Sequence, residues 1–116
     1  MNLHKSLDNI VEGSEENEIE INENNKFELT ISYNNLSKQL FISHFYIYEK
    51  YRRNNLATKI YNKFYHYALN NEKVNSFKFH IKKTAESKKW LDNMNESYHI
   101  TTVGNIGKVI EINYST

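Results

Sequence analysis

Leu40-Phe41-Ile42-Ser43-His44-Phe45-Tyr46-Ile47-Tyr48 leads into Glu49-Lys50-Tyr51-Arg52-Arg53-Asn54-Asn55, and an apolar repeat follows as far as Leu69. The first piece is dense in aromatic and β-branched residues, which suit the packed surface of a strand. The second is polar and basic and reads as a tight turn. In the third, Leu56, Ile60, Phe64 and Ala68 recur every four residues, with Ala57 and Tyr61 beside them. A helix from about Leu56 to Leu69 therefore has one apolar face. Asn54 or Asn55 can cap its start, because a short amide side chain accepts a bond from a first-turn N–H. A basic turn at a helix N-terminus suits a phosphate, since unpaired N–H groups and the positive end of the dipole point outward there. A plain solvated turn is the other reading of Arg52-Arg53-Asn54-Asn55.

On the N-terminal side, Phe27-Glu28-Leu29-Thr30-Ile31-Ser32-Tyr33 alternates, with Phe27, Leu29, Ile31 and Tyr33 on one face. Glu18-Ile19-Glu20-Ile21-Asn22 alternates too, as a half-buried edge strand does. Glu23-Asn24-Asn25 and Asn34-Asn35 are turn signals, so the three strands form an antiparallel meander. Residues 1–17 read as a loose lead-in with an acidic turn at Gly13-Ser14-Glu15-Glu16-Asn17. On the C-terminal side, Asn70-Asn71 stops the helix, and Val74 to Ile81 reads as a strand with Phe77, Phe79 and Ile81 on one face. A crossover helix makes this strand the parallel neighbour of the first. Thr84 to Met94 reads as a second helix, capped by Thr84 with Ser87 at the capping-box position. Tyr98 to Val103 and Lys108 to Tyr114 form a final hairpin around Gly104-Asn105-Ile106-Gly107.

The chain has 116 residues, the length of one domain. It has no cysteine, which excludes disulfides, thiolate metal sites and a Cys nucleophile and fits a cytoplasmic home. A net charge of +1 argues against nucleic acid and against a membrane surface. No apolar run approaches the roughly 20 residues of a membrane span, and Met1 to Asp8 is too polar for a signal-peptide core. Two kinds of side chain stand out. Imidazole is the side chain whose intrinsic pKa lies near neutrality, so His44 is a candidate general base or proton relay, or else a strand-face histidine bonded to a neighbour. Tyr46 and Tyr48 share its face and are candidates for acid, substrate wall or core. His44, His80 and Glu49 have no metal-ligand spacing, and His66 and His99 lack any local pattern. Trp90 reads as a core anchor.

Ile47-x-x-x-Tyr51-Arg52-Arg53-Asn54-Asn55-Leu56-Ala57 resembles the acetyl-CoA motif of the GNAT N-acetyltransferase superfamily, roughly V-x-x-x-[YL]-R-G-x-G-[IL]-[GA]. Ile47, Arg52 and Ala57 match, while Arg53 and Asn55 stand where the motif has glycines. Asn is the best substitute for Gly in a left-handed backbone. His44-Phe45-Tyr46-Ile47 resembles the H-T-x-V strand of the compact single-domain branch at His44 and Ile47. The likeness covers about Glu18 to Met94 and implies a GNAT-type mixed α/β sheet: an N-terminal meander, a central parallel pair with its crossover helix, and a C-terminal hairpin. It further implies acetyl-CoA as donor, an amine that attacks the thioester directly as acceptor, and possession of the whole chain by one domain. Tyr46 to Tyr48 would offer backbone groups to the pantetheine, Arg52 through Ala57 would offer N–H groups to the pyrophosphate, and Thr58 a hydroxyl. Lys82, Lys83 and Lys88 would meet the adenosine phosphate or stay solvated. The branch's Cys is missing, and Leu91 or Trp90 stands where many larger members have a Tyr. Those departures leave open a catalytically inactive GNAT-like module that binds a protein partner. A homodimer is a further open alternative.

Overall fold

Leu3, Leu7, Ile10 and Val11 lie at helical spacing, and all four are buried in helix α1 (Leu3–Glu12). The lead-in expected there is thus a helix, because four apolar residues on one stripe outweigh the polar majority around them. The computed structural model describes residues 3–13, 18–52, 55–93, 100–103 and 108–115. Gly13 ends α1 by donating to the Asn9 carbonyl at 2.9 Å. A Cβ at Gly13 would fall 2.0 Å from that oxygen, so only glycine lets the chain turn this closely.

The meander follows as β1 (Glu18–Glu23), β2 (Phe27–Asn34) and β3 (Gln39–Ile47), each antiparallel to the next. Asn24 and Asn25 both have positive φ, which makes the first hairpin turn. The Asn34 side chain accepts from the N–H groups of Leu36 and Ser37 in the second. After a single 3-10 turn (Glu49–Tyr51) come α2 (Leu56–Asn70), β4 (Ser76–Lys82), α3 (Ala85–Asn93), β5 (Ile100–Val103) and β6 (Lys108–Ser115). The six strands form one mixed sheet in the order β1-β2-β3-β4-β6-β5. Beside the expected parallel pair of β3 and β4, β6 also runs parallel to β4, so the final hairpin enters the sheet by its second strand. The Gly104-to-Gly107 connection and Tyr98-His99 lie outside the described residues.

The buried side chains of the sheet share one face. Phe27, Leu29 and Ile31 on β2, Leu40, Ile42 and Ile47 on β3, Phe77, Phe79 and Ile81 on β4, and Ile110 and Ile112 on β6 all belong to it. All three helices bury their apolar stripes there. Phe64 of α2 meets Phe77 and Phe79 edge-on, and Tyr67 donates to Asp8 of α1 at 2.7 Å. The opposite face carries Glu28, Phe41, His44, Tyr46, Tyr48 and His80, and none of these six is buried.

One irregularity decides where β3 leads. Ile31 pairs with Ile42 and Thr30 with His44, so Ser43 is a surplus residue in the ladder. Such a bulge bends its strand and lets both Ser43 and His44 point outward. The ladder between β3 and β4 stops at Ile42 and Phe79, immediately before that residue.

Candidate functional site

Beyond Ile42 and Phe79, β3 runs on to Ile47 and β4 to Lys82 without pairing to each other. Their parting opens a cleft of about 410 Å³. Phe45, Tyr46 and Ile47 form one wall, and Ile81 and Lys82 form the other. Ala57, in the first turn of α2, lies at the cleft with nothing larger than a methyl group. The start of α3 closes the far side through Thr84, Glu86, Ser87 and Trp90. Thr84 and Ser87 complete a reciprocal capping box there, with Ser87 N–H to Thr84 Oγ1 at 3.0 Å and Thr84 N–H to Ser87 Oγ at 2.8 Å.

Strand alternation sets which backbone groups face the cleft. The Tyr48 N–H donates to Lys26 O at 2.9 Å and so points toward β2. Ile47 O points the other way and accepts from Arg52 Nε at 2.8 Å. Phe45, two residues earlier, presents its backbone to the same side as Ile47. Of the Tyr46-to-Tyr48 backbone expected at the ligand, only that of Ile47 faces the cleft, and Phe45 takes the place of the other two.

Arg52 is tied down at the cleft mouth. Its Nη1 lies 3.2 Å from Glu86 Oε1 on α3, and its Cζ lies 5.4 Å from the Tyr46 ring centroid. Asn55 precedes α2 with φ 57° and ψ 25°, the left-handed conformation that the glycine position of the motif suggests. Its side chain makes no capping bond, so the expected amide cap is not formed at Asn55. Leu56 packs against the core. Thr58, expected to offer phosphate a hydroxyl, accepts from the Trp90 indole N–H at 2.9 Å, which leaves its own O–H as a donor. Arg53 and Asn54 lie outside the described residues.

His44 and Tyr48 turn to the open face of the sheet. His44 Nε2 lies 3.3 Å from Glu28 Oε1, and Tyr48 donates its hydroxyl to Glu28 Oε2. The Tyr48 bond, then the His44 bond, holds the Glu28 carboxyl below its ordinary range. The same Glu28 bond pushes the Tyr48 hydroxyl up. The Tyr46 ring stacks on His44 at 6.2 Å and meets Tyr48 edge-on at 5.1 Å, linking this cluster to the cleft wall. His80 packs edge-on against Phe41 at 4.7 Å.

Sequence reading brought Tyr46, Ile47, Arg52 and Ala57 to the cleft and missed Glu28, Phe45 and Glu86. Glu28 is visible only once the hairpin register sets it opposite Tyr46. Lys82 lines the cleft, whereas Lys83 sits 5.5 Å from the Tyr114 ring centroid. Trp90 is half-buried against the core and also lines the cleft. Leu91 is buried. Among the described residues, no group of three or more His, Cys, Asp or Glu can hold a metal, and no helix is long and apolar enough to cross a membrane. No protein-family model matches the chain, and neither does a curated protein or a solved structure.

Proposed function

We propose that this chain is an acetyl-CoA-dependent N-acetyltransferase of the GNAT type, in which an amine attacks the thioester directly. The observation that carries the proposal is the parting of the parallel strands β3 and β4 next to the first turn of α2, which follows a left-handed Asn55. A cleft of about 410 Å³ suits the pantetheine arm, being within the ~300–1,000 Å³ common for small-molecule sites. Strand-edge groups of Phe45 and Ile47 would hold the arm's amides and the thioester carbonyl. Ala57 leaves room beside it, and Arg52 with the α2 N-terminus would hold the diphosphate outside the cleft. As the amine nitrogen bonds to the carbonyl carbon, the carbon–sulfur bond breaks with its electron pair on sulfur, and the amine proton would pass to His44, which stands on the open sheet face behind the Tyr46 cleft wall. The second reading, an inactive module of the same type that binds a protein partner, is favoured by the Arg52–Glu86 pair, since Arg52 already has an anion.

Thermal unfolding in acetyl-CoA tests the proposal. At 100 times the dissociation constant, binding to the native state alone adds ~2.7 kcal/mol. A rise in Tm is expected with acetyl-CoA and with CoA. A folded protein that shows no rise in millimolar acetyl-CoA has no such site.

A further inference from the structure

Glu28 reaches the open face of the sheet from β2, opposite Tyr46. Its carboxylate oxygens have separate donors. Oε2 takes the Tyr48 hydroxyl and lies 3.5 Å from Asn22 Nδ2, while Oε1 lies 3.3 Å from His44 Nε2. Both the Tyr48 and the His44 bond favour the ionised form, and an ionised carboxylate accepts hydrogen bonds but donates none. A neutral His44 facing it must therefore carry its proton on Nε2. Nδ1 is then an acceptor on a side chain that is 50% exposed. We infer that Glu28 is a positioning residue that locks His44 as the Nε2–H tautomer and turns Nδ1 into the proton acceptor of the open sheet face.

The tautomer rests on this geometry alone, and its chemical use rests on the acetyl-transfer reading. In that reaction the amine proton goes to Nδ1 as the nitrogen–carbon bond forms. The thiolate leaves with the electron pair of the broken carbon–sulfur bond and takes a proton from the imidazolium or from water. Glu28 balances the imidazolium charge while it lasts, as the third member of a nucleophile–base–orienter set does. Tyr48 orients Glu28 in turn.

Glu28→Gln tests the assignment because Tyr48 decides how the new amide lies. The Tyr48 oxygen already accepts from the Asn22 side chain, so its hydroxyl donates to position 28, the amide oxygen takes the Tyr48 side and the NH₂ faces His44. A donor facing Nε2 drives the imidazole proton to Nδ1. In Glu28→Gln with Tyr48→Phe, only the longer Asn22 contact at 3.5 Å still favours oxygen on that side, so the amide can turn its oxygen to His44 and the proton returns to Nε2. Long-range ¹H–¹⁵N spectra of the full chain read the protonated nitrogen directly. The expected series is Nε2–H in the wild type, Nδ1–H in Glu28→Gln and Nε2–H in the double variant. Turnover with acetyl-CoA, using spermine and polylysine as acceptors, should fall by about tenfold or more in kcat for Glu28→Gln, recover in part in the double variant, and keep KM for acetyl-CoA within about twofold. A proton on Nδ1 in the wild type, or no tautomer change in Glu28→Gln, overturns the assignment. A flipped tautomer with unchanged kcat overturns the role of Glu28 in transfer. A wild type that shows Nε2–H yet acetylates neither acceptor counts against the acetyl-transfer reading and leaves the positioning by Glu28 standing.

Discussion

Arg52 illustrates how one side chain serves two masters. Its Nε holds the end of β3 through Ile47 O, and its Nη1 reaches Glu86 on the far side of the cleft. If the chain binds acetyl-CoA as proposed, the incoming diphosphate would compete with Glu86 for the same guanidinium. Arg52→Ala should weaken CoA binding by roughly 1.5–3 kcal/mol, the value of a charge-assisted hydrogen bond. Glu86→Gln should do the reverse and tighten it, by up to ~1 kcal/mol, because the pair it removes is exposed. Calorimetric titration of CoA into both variants checks the opposed signs, and a Glu86→Gln variant that binds more weakly would mean that Glu86 does not compete. At this scale the sequence is legible where a residue acts through its own neighbours. Arg52 and Ala57 can be placed because the turn and the helix repeat surround them. The left-handed Asn55 follows from the preference of Asn for that conformation. Glu28, Glu86 and the partner of Thr58 are illegible for the opposite reason. Their contacts cross from one element to another, and Trp90 lies 32 positions from Thr58.

At the scale of elements, α1 shows what polar contacts at its margin add to an apolar stripe. Tyr67 on α2 donates to Asp8, and His4 meets both the Tyr67 ring at 5.1 Å and Asp8 at 3.3 Å. Burial first, and then the Asp8 bond, pushes the Tyr67 hydroxyl far above the ordinary tyrosine range. A raised folded-state value means that the unfolded chain releases this proton first. The contribution of Tyr67 is therefore complete below pH ~10 and is lost progressively as pH rises beyond it. Tyr67→Phe should cost about 0.5–1.5 kcal/mol at neutral pH, for one hydrogen bond, and should make the alkaline decline of Tm shallower. Thermal melts of both proteins from pH 7 to about pH 11 check this, and parallel alkaline limbs would show that Tyr67 is not the group responsible. Most elements were readable because each keeps a single period: two on β1 and β2, near 3.6 on α2. The exception is α1. Leu3, Leu7, Ile10 and Val11 carry its period, but only the sheet and α2 reveal that those residues have something to pack against.

At the scale of the molecule, a single layer of helices on one sheet face leaves the other face to polar and aromatic side chains, and the cleft passes between the two strands that join them. That cleft begins where Ser43 is inserted. Without Ser43, Thr30 still pairs with His44, Ile31 with Ile42 and Leu29 with Phe45. Ile42, Phe45 and Ile47 stay inside, and His44, Tyr46 and Tyr48 stay outside. What would change is the bend, since a surplus residue bends its strand and this one stands where the β3–β4 ladder ends. A variant lacking Ser43 should fold cooperatively, hold β3 and β4 together past Ile42, and lose any stabilisation by acetyl-CoA. A deletion variant that keeps its Tm rise in acetyl-CoA would sever the bulge from the cleft. The difference between a continuous sheet and one that admits a ligand then amounts to three nucleotides in frame. On the expected outcome a single codon would separate the two states with no compensating change in the core, and a capacity to bind could be gained or lost here while the architecture is inherited unchanged.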